Sequence, residues 1–134
     1  MTDTATPIPS VIVADDDADI RTLVAMAVTR AGLDLIDELD DGDQAWEAIQ
    51  SFHPDIVVLD VNMPGKTGLE LARLVRADEA LAGIRVILLS AGVDDHSRQA
   101  GIDAGADEYL TKPFSPKVLA AHLTEVAAHL GVRA

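Results

Sequence analysis

Apolar residues along this chain follow two rhythms. Val11-Ile12-Val13-Ala14, Ile56-Val57-Val58-Leu59 and Ile84 to Leu89 (interrupted only by Arg85) are near-continuous runs bounded by polar or turn residues. Short runs of this kind, rich in β-branched side chains, predict strands covered on both faces. Leu33 to Leu39 and the short segment Ala106 to Leu110 predict two more. Between the strands the period lengthens. Positions 20, 23, 24, 27 and 28 are apolar within Asp17 to Arg30, which gives one face of a helix closed by Gly32. Asp41-Gly42-Asp43 starts a second helix carrying Ala45, Trp46, Ala48 and Ile49, and Pro54 breaks the chain after it. A third helix is expected over Gly68 to Ala77 and a fourth over Asp95 to Ala104. A fifth runs from Ser115 to Leu130, with Leu119, Leu123, Val126 and Leu130 on one face.

Five predicted strands thus alternate with five predicted helices. That order makes an α/β domain with a doubly wound parallel sheet, in which sites form at the carboxyl ends of the strands. Residues 1–9 hold two prolines and no periodicity and are expected to be a flexible tail, with one domain over 10–131. Trp46 and Met26 are expected in the core. His122 and His129 are expected on the solvated side of the last helix.

Composition narrows the function. The 134 residues carry a net charge of −13, which opposes direct binding to nucleic acid. There is no cysteine, so a disulfide scaffold and a thiol nucleophile are excluded. No apolar run is long enough for a membrane span and no secretion signal is apparent, so a cytoplasmic location is expected without membrane insertion.

The residues at the strand ends carry the chemistry. Asp15 and Asp16 follow the first strand, Asp60 the third and Ser90 the fourth, while Lys112 lies just beyond the fifth. Three acids at one sheet edge repel one another and call for a cation. All the donors are hard oxygens, which suits Mg2+. A divalent ion held by acids in turn suits a phosphate, with Lys112 and Ser90 holding its oxygens and Asp60 as the nucleophile. Taken singly, each residue has a plainer role: Asp15 to Asp17 would cap a helix, Asp60 would sit in a turn, Ser90 would be a strand-end residue and Lys112 would be solvated. Asp17 is expected to be the cap.

The segments "IVADDDADIR", "VVLDVNMPGKTG", "VILLSA" and "DEYLTKPF" closely resemble the receiver domain of bacterial two-component response regulators, over about residues 10–131. Their spacing fits as well: Asp60 lies 44 positions after Asp16, Ser90 lies 30 after Asp60, and Lys112 lies 22 after Ser90. The resemblance implies a flavodoxin-like (βα)5 fold with strand order 2-1-3-4-5. It implies Asp60 as phosphoacceptor from a histidine kinase or phosphotransfer protein. It implies Mg2+, with Mn2+ as substitute, on Asp15, Asp16, Asp60 and the backbone carbonyl of Asn62, with Asp16 the more direct ligand. Ser90 and Lys112 would contact the phosphoryl group, and Ser90 with Tyr109 would form a switch. A cis Lys112-Pro113 bond would aim Lys112 into the site.

A phosphohydrolase of the haloacid-dehalogenase type would use Asp15 and Asp17, but leaves Asp60 unexplained. A flavin carrier would need a phosphate loop where this chain has acids, and "DDDADI" lacks the glycine of a calcium loop. A degenerate receiver acting only as a binding module is opposed by the intact acid set. No enzymatic turnover is expected beyond the domain's own phosphorylation and dephosphorylation. No output domain follows in the sequence, so a stand-alone receiver is expected, either monomeric or a phosphorylation-dependent homodimer. It would signal through the face formed by the fourth helix, fifth strand and fifth helix, where Ala120, Ala121, Ala127 and Ala128 would permit close approach.

Overall fold

A computed structural model describes residues 8–92 and 95–130. Most of the expected tail and the last residue of the expected domain lie outside that range. Five strands alternate with five helices: β1 (Ser10–Ala14), α1 (Ala18–Arg30), β2 (Asp34–Leu39), α2 (Gly42–Phe52), β3 (Ile56–Asp60), α3 (Gly68–Ala77), β4 (Arg85–Ser90), α4 (Asp95–Asp103), β5 (Glu108–Thr111) and α5 (Pro116–Ala128). The sheet is parallel, in the order β2-β1-β3-β4-β5.

Alternation along each strand divides the core in two, because successive side chains point to opposite faces. Ile12, Val57, Leu59, Val86 and Leu88 face Ala45, Ile49, Leu71 and Val75 of α2 and α3. Val11, Val13, Val58, Ile87 and Leu89 face Val24, Val28, Leu119 and Leu123 of α1 and α5. Both faces are covered, which is why the strands read as unbroken apolar runs. Strand β2 is an edge, and it carries Asp34, Asp37 and Glu38, charges that discourage pairing with another chain. Sheet pairing begins at Pro9, whose carbonyl accepts from the Asp34 N–H at 3.0 Å.

The helix starts follow from local chemistry. Asp17 caps α1 as expected, accepting from the Asp19 and Ile20 N–H groups. Asp41 caps α2, Thr67 and Glu70 form a reciprocal capping box on α3, and Ser115 caps α5 with Pro116 just inside. Gly32, at φ +76°, closes α1.

Several expectations need correction. Met26 is 54% exposed, because α1 buries Val24, Ala27 and Val28, a stripe that Met26 does not share. Trp46 is only partly buried, packed against the rim of the core. His122 is half-buried, and its Nδ1 lies 2.7 Å from Oε1 of Glu108 on β5. Of the four alanines on α5, Ala120 faces the core and Ala127 packs against it, leaving Ala121 and Ala128 exposed. Strand β5 starts two residues later than expected. The Asp107 carboxylate accepts from the Val86 N–H and from Arg76, which fixes residue 107 as a corner rather than a rung.

Candidate functional site: an acidic edge with one lysine

Asp60 and Ser90 are the last residues of β3 and β4 rather than the first beyond them. Each is therefore held by the sheet itself. Asp60 pairs with Leu89, and the Val61 N–H donates to the Leu89 carbonyl at 2.9 Å. Ser90 pairs with Thr111, and the Lys112 N–H donates to the Ser90 carbonyl at 2.8 Å. A one-residue continuation of the ladder thus carries Lys112 to the acids. The Lys112-Pro113 bond is cis.

Asp15, Asp16 and Asp60 each offer a carboxylate oxygen, and these three atoms lie within 4.8 Å of one another. Asp15 is fully buried, Asp60 is buried and Asp16 is exposed. The Asp15 carboxylate accepts from the Asp17 N–H at 2.9 Å, and its main-chain carbonyl accepts from Arg21 at 2.7 Å. Lys112 Nζ stands 2.9 Å from Asp15 Oδ2 and 3.2 Å from Asp60 Oδ1. The first contact is an ion pair without hydrogen-bond alignment, so Asp15 Oδ2 is a buried oxygen lacking a directional donor.

The electrostatics follow from this crowding. Burial, and then the charge of Asp15, hold the Asp60 carboxyl above its ordinary 3.8, while Lys112 and the Asn62 N–H pull it down. Burial alone would lower the Lys112 ammonium. The contact with Asp15 and its charge, then those of Asp60, outweigh that effect and hold it above 10.5. One lysine does not neutralise three acids. The excess charge, the all-oxygen donor set and the under-satisfied Asp15 Oδ2 together fit a small hard dication. Asp15, Asp16 and Asp60 would hold it, with the Asn62 carbonyl on the adjoining loop as a further oxygen donor. Such an ion, when bound, neutralises the acids and attracts phosphoryl oxygens.

Two features of this edge were not legible from sequence. Gly42 opens α2 against the β3–α3 loop: its N–H donates to the Pro64 carbonyl at 2.9 Å. A Cβ on Gly42 would lie 1.8 Å from the Lys66 carbonyl oxygen. Gly68 packs likewise on the Asp60 carbonyl, where a Cβ would lie 2.5 Å from the oxygen. The loop carrying Asn62 is therefore gripped from both sides by residues without side chains. "DG" before a helix signals only a helix start, and its tertiary contact had no local signature.

Ser90 Oγ accepts from the Gly92 N–H at 2.9 Å, and the Tyr109 hydroxyl donates to the Gly92 carbonyl at 3.2 Å. The two expected switch residues thus meet through one residue, Gly92. Tyr109 is only 8% exposed, so its ring stands inward.

Residues 11–124 match the response regulator receiver domain family. This chain belongs to that family and is a receiver domain of two-component signal transduction. It is 38% identical over 122 residues to the phosphate regulon transcriptional regulatory protein PhoB of Pseudomonas aeruginosa, covering 91% of this chain and 53% of that protein. It is 35% identical over 113 residues to the DNA-binding response regulator MtrA of Mycobacterium tuberculosis, covering 84% and 48%. The chain therefore spans about half the length of these curated relatives. Among solved structures, the chemotaxis response regulator CheY4 of Vibrio cholerae superposes with a TM-score of 0.82 at 30% identity, covering 90% of this chain and 99% of that one. The BeF3-activated receiver domain of DrrB gives 0.81 at 30% identity, covering 91% and 99%. Receivers interact with histidine kinases and bind Mg2+ at an acidic cluster of the kind found here. Among the described residues, no helix is long and apolar enough to cross a membrane.

Proposed function

We propose that Asp60 is the phosphoacceptor of this receiver, taking a phosphoryl group from a phosphohistidine of a sensor kinase or phosphotransfer protein. The observation that carries this is Lys112 Nζ at 3.2 Å from Asp60 Oδ1, within a cluster of three carboxylates. An Asp60 oxygen attacks phosphorus, the P–N bond breaks, and its electron pair leaves on the imidazole nitrogen, which takes up a proton. Lys112 and the Ser90 hydroxyl hold the transferred oxygens. Water later attacks phosphorus, releasing inorganic phosphate and restoring the Asp60 carboxylate. The domain promotes these two steps on itself and turns over no other substrate. Mg2+ serves the site and Mn2+ substitutes. Nothing favours a degenerate receiver or a phosphohydrolase, since the acid set is intact.

The output surface in this reading is the face of α4, β5 and α5. A recess of about 340 Å³ lies there, lined by Arg98, Ile102, Glu108, Tyr109 and His122 among others, and Ile102 is 51% exposed beside it. A downstream protein, or a second phosphorylated copy, binds this face. The Tyr109 ring already stands inward. Phosphorylation does not create the inward ring; it favours an arrangement the fold already makes. A cytoplasmic location follows from this role. The relatives' DNA binding is theirs; at a net charge of −13 the receiver itself is not a nucleic-acid binder.

The test is intact mass after incubation with acetyl phosphate. One phosphoryl adduct is expected with Mg2+ or Mn2+, none in EDTA, and none in folded Asp60→Asn. Equal labelling of Asp60→Asn would refute the assignment.

A further inference from the structure

Helix α4 holds a glycine where its own stability would be better served by almost any other residue. Gly101 is buried in the last turn of Asp95–Asp103, and glycine at a helical position disfavours the helix relative to alanine. Its φ is ordinary, so backbone conformation does not require it. What requires it is a neighbour. A Cβ built on Gly101 would lie 2.7 Å from Cδ2 and 3.2 Å from Cε2 of Tyr109, and 3.3 Å from Cδ1 of Leu88.

These two neighbours differ in their freedom to yield. Leu88 is fully buried within β4, a strand flanked by β3 and β5. Tyr109, its register partner on β5, borders the recess beside Arg98, Ile102 and His122, which offers a ring somewhere to go. A side chain at position 101 therefore expels the ring rather than the leucine. Two further contacts complete the inward position. The Arg98 guanidinium, one turn earlier on α4, lies 5.5 Å from the ring centroid, and the Tyr109 hydroxyl donates to the Gly92 carbonyl. The Gly92 N–H in turn donates to Ser90 Oγ.

We infer that Gly101 is a positioning residue: the gap left by its missing side chain is the seat of the inward Tyr109 ring. By it, α4 sets how readily that ring, and through Gly92 the Ser90 hydroxyl, adopts the arrangement that receives a phosphoryl group. The link to phosphorylation rests on the function proposed above; the seat itself rests on the contacts alone. Linkage requires the two to act on each other. If phosphoryl binding favours the inward ring, a substitution that drives the ring out weakens phosphoryl binding by the same factor.

The protein has a single tyrosine, so labelling with 3-fluorotyrosine gives one 19F resonance, that of Tyr109. In Gly101→Ala this resonance is expected to move toward that of the free amino acid and to show a larger shift between H2O and D2O. An unmoved resonance in folded protein overturns the inference. Beryllofluoride with Mg2+, a phosphoryl mimic, should bind Gly101→Ala about 5-fold or more weakly than the parent. Tyr109→Ala and Tyr109→Ala/Gly101→Ala should bind it equally, since no ring remains to be expelled. Their melting midpoints separate the roles further: alanine at 101 should raise the midpoint in the Tyr109→Ala background, where only helix propensity acts, and not in the parent. Equal weakening in both backgrounds, or an unfolded Gly101→Ala that Tyr109→Ala fails to rescue, means that Gly101 serves helix packing alone, and the inference falls. An expelled ring with unchanged beryllofluoride affinity leaves the seat standing and refutes the phosphate-driven switch of Tyr109.

Discussion

Lys112 Nζ lies 3.2 Å from Oδ1 of Asp60, and it is the cation that holds this acid beside fully buried Asp15. Removing it leaves two buried carboxylates facing each other. Breaking one side of such a cluster costs about 3 kcal/mol. Lys112→Ala is therefore expected to lower the urea midpoint in EDTA at neutral pH with little change in slope. Mg2+ should restore most of the loss. Lowering the pH should also restore part of it, as Asp60 protonates. An unchanged midpoint in EDTA would show that Lys112 does not balance the acids.

Asp60 carries a pH signature of its own. Its carboxyl titrates above its ordinary 3.8 because of burial and then the charge of Asp15. The folded state thus holds this proton more tightly than the unfolded state, so ionising Asp60 costs stability. The cost is absent below 3.8 and complete above the raised folded value. In metal-free buffer, Asp60→Asn should be more stable than the parent at neutral pH by about 1 kcal/mol, or roughly 4 °C in midpoint. The advantage should vanish as the pH falls through the window just above 3.8. A constant difference from pH 3 to pH 7 would contradict this origin.

Asp15 and Asp16 should separate by metal affinity. Asp15 is buried and already engaged by Lys112 and the Asp17 N–H, whereas Asp16 is exposed. Asp15→Ala is expected to weaken Mg2+ binding by about 10-fold, as loss of a supporting group does, and Asp16→Ala by more. Asp16→Ala should leave metal-free stability within about 0.5 kcal/mol of the parent. Calorimetric titration with Mg2+ measures both, and equal affinities would reject the ordering.

Far from the acids, Arg76 of α3 donates to the carbonyls of Ala82, Ile84 and Gly105 and pairs with Asp107 at 2.5 Å. Arg85 shares Asp107 at 3.4 Å and donates to the His129 carbonyl. Arg76→Leu strands several half-buried acceptors at once and should cost about 3 kcal/mol. Arg76→Lys should recover only part, since an ammonium cannot span the planar set of partners. Thermal unfolding of the three proteins tests this, and a full recovery by lysine would show that charge alone matters.

What the sequence revealed and what it hid divide along one line. Asp15, Asp60 and Ser90 were found because an apolar run ends at each, and the run is a local pattern. The sheet order came only through resemblance. The parts that escaped are pairings between distant segments: Arg76 with Gly105, Glu108 with His122, Gly42 with the Lys66 carbonyl. None has a period, and a glycine called by a neighbour's backbone looks like any helix start. Met26 was misplaced for a different reason. Hydrophobicity alone suggests burial, but position 26 lies off the α1 stripe at 20, 23, 24, 27 and 28.

Gly92 stands beside the site of the proposed reaction, and its surroundings decide how an effect on hydrolysis can be tested. It lies two residues beyond Ser90 and donates to Ser90 Oγ. A Cβ on Gly92 would approach Ser90 Oγ to 3.3 Å, so a side chain there stands beside the hydroxyl proposed to hold the phosphoryl oxygens. The same Cβ would meet Ser97 Oγ at 2.8 Å and Ser97 Cβ at 3.0 Å. Enlarging Gly92 alone therefore pushes on α4 as well as shielding the phosphate, and a slowed hydrolysis would have two causes. Ser97→Ala relieves only the hydroxyl contact, while Ser97→Gly removes both atoms. In a Ser97→Gly background, Gly92→Leu is expected to lengthen the half-life of the aspartyl phosphate several-fold, because the leucine excludes the attacking water. Ser97→Gly alone should leave the half-life near that of the parent. The decay is followed by intact mass after removal of acetyl phosphate. If the folded double variant loses its phosphoryl group as fast as Ser97→Gly, open access at Gly92 does not set the lifetime.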